Sequence, residues 1–455
     1  MRSRTMMRPA SLLAWLLMLM LVGLTSGCAT THSTAKPGHL AQRSAVRHAR
    51  PNRRSHPTTS TVVQPGVAPV KALATGTLYV ADTLESSSTP GVSITPIDVA
   101  SQTKSTPLEA GSGPDGIVIA PNGETAYVAD GGSPTLPGDT VTPVNLSTGQ
   151  VGRPIGVGIN PIGMAVAPNG LHLYVANAGY PGATDSTVTP INLATERPGS
   201  PIQVGLGPTS IAIAPDGLTA YVTVAGYGSS SPPTPGSPAL PPPAGKVVPI
   251  NLVTGSPEPG IAVGAEPMAI AITPNGKEAY VANSGSGTVT PINLVTRVPG
   301  PPIQVGLGPS SIAIAPDGLT AYVTVAGFGP SSPPASGSPI SLPAGKVVPI
   351  NLTSATSGPP ITVGVGPLAI AITPNGNEAY VANAASGTVT PINLVTNTPE
   401  PGVPVAGSPE ALAITSVVHV KAGAGKSVPK RAKSPVGVVA RFGVLNPTTR
   451  LGALA

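Results

Sequence analysis

Pro274-Asn275-Gly276-Lys277-Glu278-Ala279-Tyr280-Val281-Ala282-Asn283, followed at 288–294 by Thr-Val-Thr-Pro-Ile-Asn-Leu, decides the fold. Both apolar runs are short, rich in β-branched or aromatic residues, and bounded by Gly, Pro or Asn, which is how strands read. An Asn-Gly pair entering such a run signals a hairpin, because these residues tolerate the positive φ angles of tight turns. Two more runs, Ile303-Gln304-Val305 and Ser311-Ile312-Ala313-Ile314-Ala315, complete a unit of four strands.

The unit recurs. Tyr79, Tyr127, Tyr174, Tyr221, Tyr280, Tyr322 and Tyr380 mark seven copies, spaced 48, 47, 47, 59, 42 and 58 residues apart. Four strands in roughly 48 residues is the size of one propeller blade. Asn122, Asn169, Asp216, Asn275, Asp317 and Asn375, each between Pro and Gly, join a fourth strand to the next Tyr strand. Backbone geometry accounts for their recurrence, so they are not ligand candidates. Ala411–Thr415 matches a fourth strand with no turn after it, and the first Tyr strand has no fourth strand before it. Pairing 411–415 with 77–81 closes the ring and leaves few sheet edges open. The expected fold is therefore all-β: a seven-bladed β-propeller of four-stranded antiparallel blades over 73–420, closed by a C-terminal strand joining the first blade.

A longer period overlies the first. Residues 201–226 recur at 302–327 with Thr209 replaced by Ser310 as the only change. Each copy runs into a Pro/Ser-rich insertion, Ser229–Ala244 and Pro330–Ala344, read as an extended projection. The aromatic residues at their bases, Tyr227 and Phe328, are the candidate binding-loop residues.

The composition agrees with an all-β chain. Gly (55) and Pro (59) make up a quarter of the 455 residues, yet 40 % are hydrophobic and mean hydropathy is +0.23, so there is apolar material to bury. The net charge of +6 averages unlike regions. Residues 1–72 hold 10 Lys/Arg and 421–455 hold 7, with no Asp or Glu in either; 73–420 holds 7 against all 18 acids, a net of −11. The propeller is acidic and its tails are basic, so nucleic acid is not an expected partner of the folded part.

Arg2, Arg4 and Arg8 precede the apolar stretch Ser11–Leu24, the pattern of an export signal over 1–27. The only cysteine follows in Leu24-Thr25-Ser26-Gly27-Cys28. This run resembles the lipobox of bacterial lipoproteins, in which the Cys is diacylated and becomes the new N-terminus. Lipidation of Cys28 would tether the chain to the outer side of the cytoplasmic membrane or elsewhere in the bacterial envelope. A lone Cys excludes an intramolecular disulfide. Residues 28–72 lack periodicity and read as a flexible basic linker, with a random-coil reach on the order of 35–40 Å. Residues 421–455 read as a disordered basic tail, which the sequence offers to anionic lipid head groups or acidic wall polymers.

The tandem Tyr-Val-Ala-Asn, Thr-Val-Thr-Pro-Ile-Asn-Leu and Pro-Asn-Gly units resemble the YVTN family of β-propeller repeats over about 345 residues. Members are exported or surface proteins of bacteria and archaea, and the architecture is shared with lactonase-type enzymes. The resemblance implies a monomeric binding or structural module that takes protein or glycan on its loop face, with a lactonase-like hydrolase or lyase as the alternative.

In this strand order the fourth strand lines the channel. The residues after Pro in its entry loops form a ring: Asp115, Ile162, Thr209, Met268, Ser310, Leu368 and Glu410. Ring closure makes Asp115 and Glu410 neighbours, a carboxylate pair suited to Ca²⁺; against this stands the plainer reading of two solvated acids. No other cofactor is expected. His32, His39, His48 and His56 fall in the linker, His172 lies on the opposite face, and His419 lies past the closing strand, so no histidine base stands at the channel mouth. No haem, nucleophile-elbow or phosphate-loop motif occurs, and no catalytic residue is assigned.

Overall fold

The computed structural model describes residues 76–415, except 84, 87–88, 91–92, 134–135, 180–185, 227–243, 328–342 and 406, together with Val436–Val439. Seven antiparallel sheets form a seven-bladed propeller. Their innermost strands neighbour one another in a closed ring: Pro114–Ile119, Pro161–Val166, Pro208–Ile213, Pro267–Ile272, Pro309–Ile314, Pro367–Ile372 and Ser408–Thr415. The first six of these open blades 2 to 7; the last belongs to blade 1.

Blade 5 shows the common plan. Pro267–Ile272 is innermost, followed outward by Glu278–Asn283 and Thr288–Asn293, and the outer edge is two short pieces, Val298–Pro299 and Ile303–Gln304. The break has a covalent cause. Pro291 stands opposite Tyr280, and its carbonyl points outward to accept the Gly300 N–H at 2.8 Å. Its missing N–H lies on that same outward side, so the inner ladder stays whole while the outer strand loses a bond. The same Tyr–Pro opposition recurs in all seven blades, at Tyr79–Pro96, Tyr127–Pro143, Tyr174–Pro190, Tyr221–Pro249, Tyr322–Pro349 and Tyr380–Pro391.

The core lies between blades. Ala212, Ala214, Tyr221, Val247 and Ile261 of blade 4 pack on Ile270, Ile272, Ala279, Val281, Ile292 and Leu294 of blade 5. Because each sheet is covered on both faces, its strands are apolar on both, which is why alternation is weak in Ala-Ile-Ala-Ile and Tyr-Val-Ala. Closure follows the expected pairing: Thr77 faces Thr415, Tyr79 faces Ala413 and Ala81 faces Ala411, with a bulge between Ala81 and Asp82.

Two expectations need correction. In the Asn-Gly turns only the glycine is left-handed, as at Gly276 (φ 69°). Gly276 N–H bonds Thr273 O, leaving Pro274 and Asn275 as the turn's central residues, and the Asn275 side chain accepts the Lys277 N–H at 2.9 Å. The Asn is thus retained as an acceptor, not for its φ. In the tail, Val436–Val439 is a strand, antiparallel to the inner edge of Ser408–Thr415, with Val436 opposite Thr415 and Val439 opposite Leu412. It lies between that strand and the innermost strands of blades 2 and 7, inside the ring. The remaining residues of 421–455, the signal, Cys28 and the linker lie outside the described residues.

Candidate functional site

Each innermost strand begins where the Tyr strand beside it ends: Pro267 stands opposite Asn283 and Pro161 opposite Asn177. The entry loops and the loops after the Tyr strands therefore share one mouth of the channel. Ile162, Thr209, Met268, Ser310, Leu368 and Glu410 are all buried there, and Asp115 is half-buried. Thr209 and Ser310 donate to the carbonyls of Pro267 and Pro367, each at 2.7 Å, stitching blade 4 to 5 and blade 6 to 7. Most of the predicted ring is spent on the protein itself.

Deeper chemistry sits one strand outward, at the last residue of the Tyr strand. In blades 3, 5 and 7 this is a buried Asn whose amide donates to two threonines of the third strand, as Asn283 does to Thr290 at 2.9 Å and Thr288 at 3.2 Å. Blades 1 and 2 carry Asp in its place, and the bonds reverse. Thr140 and Thr142 both donate to Asp130 at 2.7 Å, and Thr95 donates to Asp82 at 2.5 Å. Burial raises the Asp130 carboxyl to about 6 against its threonine bonds. Burial raises Asp82 further, to about 7; Thr95 and Lys104 pull the other way, and the nearby Glu410 adds to the rise. Asp82 therefore exchanges its proton near neutral pH, and Asp130 about one pH unit lower. Asp82 is 0 % exposed, so no ligand touches it in this conformation. The sequence reasoning missed both; Tyr-Val-Ala-Asp in place of Tyr-Val-Ala-Asn at 79–82 and 127–130 was the available signal.

Asp115 and Glu410 do occupy equivalent places on adjacent innermost strands. Glu410 turns toward Ser408 Oγ (3.1 Å) and Thr83 Oγ1 (3.4 Å). Asp115 lies over Gly131, where any side chain would meet its Oδ2 at 2.1 Å. Among the described residues no three His, Cys, Asp or Glu side chains group so as to hold a metal ion. A third acid at this mouth, Glu266, takes φ 51° where blades 2, 4, 6 and 7 have a left-handed glycine, Gly113, Gly207, Gly308 and Gly366, and burial raises its carboxyl.

His172 opens its strand opposite Asn192, at the far end of the blade from this mouth. The two Pro-rich insertions leave and rejoin the mouth face at Gly226 and Ala244 and at Gly327 and Pro343; Tyr227 and Phe328 lie outside the described residues. A shallow depression bounded by Pro259, Ile261, Arg297 and Pro299 lies at the outer edge between blades 4 and 5, away from the channel.

No protein-family model matches the chain, and neither does any curated protein sequence. Solved structures with this architecture do match. A periplasmic gluconolactonase of Pseudomonas aeruginosa aligns with TM-score 0.56 at 16 % identity, over 74 % of this chain and 98 % of its own. A putative 6-phosphogluconolactonase of Bacteroides uniformis aligns with TM-score 0.56 at 17 % identity, over 75 % and 100 %. Hydrazine synthase of Kuenenia stuttgartiensis aligns with TM-score 0.55 at 20 % identity, over 67 % and 92 %. At these identities the likeness is one of fold.

Proposed function

We propose that the chain is an exported, lipid-anchored propeller of the YVTN type that serves as a binding module at the bacterial envelope, gripping protein or glycan with the loops of its mouth face. The observation that carries this reading is the mouth itself. Ile162, Met268 and Leu368 are buried in it, while Thr209 and Ser310 are bonded to the next blade. The Pro-rich insertions at 227–243 and 328–342 leave and rejoin the chain at this same face. Two measurements test it together. Radiolabelled palmitate fed to producing cells labels the wild type and not Cys28→Ser, and glycan and envelope-protein arrays retain the chain but lose it when both insertions are cut to short Gly-Ser links. Retention unchanged by the cuts overturns the loop assignment.

A second reading is a lactonase-like hydrolase, favoured by the near-neutral Asp82 carboxyl beside Glu410. It requires that mouth to open. Hydrolysis of gluconolactone above the spontaneous rate, lost in Asp82→Asn, establishes this reading; no acceleration removes it.

A further inference from the structure

The wall of the channel is made of backbone. Propeller strands turn their side chains to the faces between blades, so Leu412 and Ile414 pack with blade 7 while Ala411 and Ala413 pack with blade 2. What remains toward the channel is the inner edge of each innermost strand. In blade 1 the bonding pattern shows which groups lie there. Pro96 O accepts the Ser105 N–H at 2.9 Å on the outward side, so Pro96 and the Tyr79 opposite it share no bond. Alternation along an antiparallel ladder then makes Tyr79 and Ala413 exchange both of theirs, and Leu412 and Ile414 aim N–H and C=O into the channel. The Tyr–Pro opposition recurs in every blade, so seven such edges ring the channel. A strand edge of this kind is a template for another strand.

One edge of the seven is taken. Val436–Val439 runs antiparallel to Ser408–Thr415, with Val439 opposite Leu412 and Gly437 opposite Ile414, the two residues whose groups face inward. Among the described residues the other six innermost strands carry no strand on that side. The closing strand differs from them in two ways. It is eight residues long against six, and no Asn-Gly hairpin follows it, so the chain past Thr415 is not committed to the next strand of a blade. The pairing is short. Four residues cover about 13 Å of the edge, and a strand of that length is marginal unless something holds it near. Twenty residues of chain join it to Thr415, a tether worth an effective concentration on the order of millimolar. Inward N–H and C=O groups recognise another backbone, and a weak resident strand yields to a better one supplied in trans.

We propose that the channel edge of Ser408–Thr415 is an acceptor for an extended peptide of a partner protein, and that Val436–Val439 is its resident occupant, displaced when the partner's strand pairs there. The site is the channel wall, apart from the mouth loops, and does not rest on their reading. Proline substitutions test it on the full chain, because each removes one backbone N–H. The N–H groups of Gly437 and Val439 face the acceptor, whereas that of Val438 faces away. Gly437→Pro combined with Val439→Pro therefore opens the edge, and Val438→Pro leaves the pairing bonds in place. The probe is a fluorescein-labelled peptide of residues 434–441, read by anisotropy. The doubly substituted chain is expected to bind it at least tenfold more tightly than the wild type, and Val438→Pro to match the wild type. The peptide carrying Gly437→Pro and Val439→Pro is expected not to bind. Equal affinity for all three chains, or no binding to the doubly substituted chain at millimolar peptide, overturns the proposal. Deuterium uptake across the segment holding Leu412 and Ile414 reads the opening without any ligand. Faster exchange in the doubly substituted chain than in the wild type or Val438→Pro is expected, and equal exchange overturns the resident strand. A wild type that dimerises with concentration while the doubly substituted chain stays monomeric also counts against it, because the strand then pairs with a second copy.

Discussion

Asp82 accepts the hydroxyl of Thr95 at 2.5 Å in the place where, six blades on, Asn383 donates its amide to Thr390 at 2.9 Å. One scaffold thus holds an acid or an amide by turning the threonine hydroxyls round. Asn costs nothing in charge; the buried Asp does. With its carboxyl raised from 3.8 to about 7, the folded state keeps a proton that the unfolded chain gives up. The sign follows from linkage: Asp82 leaves stability whole below about pH 4 and removes it progressively as pH rises to about 7, with a slope of up to about 1.4 kcal/mol per pH unit. Asp82→Asn is therefore expected to raise Tm at pH 8 and to change it little at pH 4. Asp130→Asn does the same over the narrower window to about 6. A Tm gain of equal size at both pH values would show that ionisation is not the cause.

Glu266 holds a left-handed backbone at a position where blades 2, 4, 6 and 7 place glycine. A non-glycine residue pays steric energy there, and this one also brings a desolvated carboxylate. Glu266→Gly is expected to stabilise the chain by about 0.5–1 kcal/mol in urea melts. Asn160, at φ 55° in the equivalent loop of blade 3, is the control; asparagine tolerates this region, so Asn160→Gly should move stability far less.

Ring closure makes a sharp contrast between two truncations. A chain ending after residue 407 lacks Ser408–Thr415, so it exposes Thr77–Thr83 along its whole inner edge and opens the packing of Leu412 and Ile414 against blade 7. Loss of cooperative unfolding is the expected result. Ending after residue 420 removes only Val436–Val439 from the described structure, and a single cooperative melt should persist. Calorimetry of the two chains distinguishes them.

The repeat, its seven blades and the closing pair were legible because strand length, turn residues and spacing are local signals, and Tyr79 facing Ala413 is the pairing they imply. The mouth was legible only as positions. That Thr209 and Ser310 would bond Pro267 and Pro367 depends on how far adjacent blades approach, which no local pattern records. Asp82 and Asp130 were passed over for a related reason: an acid in a Tyr-Val-Ala-Asp run reads as a solvated strand end, and its burial comes from loops packed over it, as Gly111 lies over Asp130. The strand at Val436–Val439 has a short apolar run but no turn or repeat to announce it.

Blades 4 and 6 supply the last test, because they have already exchanged the buried polar group for an apolar one. Val224 and Val325 stand where Asn283 does, and their partners across the strand are Lys246 and Lys346 in place of Thr288. Val248 and Val348 replace Thr290. The amide and the hydroxyls have therefore been lost together. Asn283→Val alone strips Thr288 and Thr290 of the amide they bond and leaves buried hydroxyls without it, at a cost of roughly 1–3 kcal/mol. Adding Thr290→Val and Thr288→Lys rebuilds the arrangement of blade 4 and should recover most of that loss. A multiple-mutant cycle on urea midpoints reads the coupling directly. Additive costs across the three changes would mean that Asn283 contributes through its shape alone; a strongly favourable coupling would show that the hydrogen-bonded trio is one unit, kept or discarded whole in each blade.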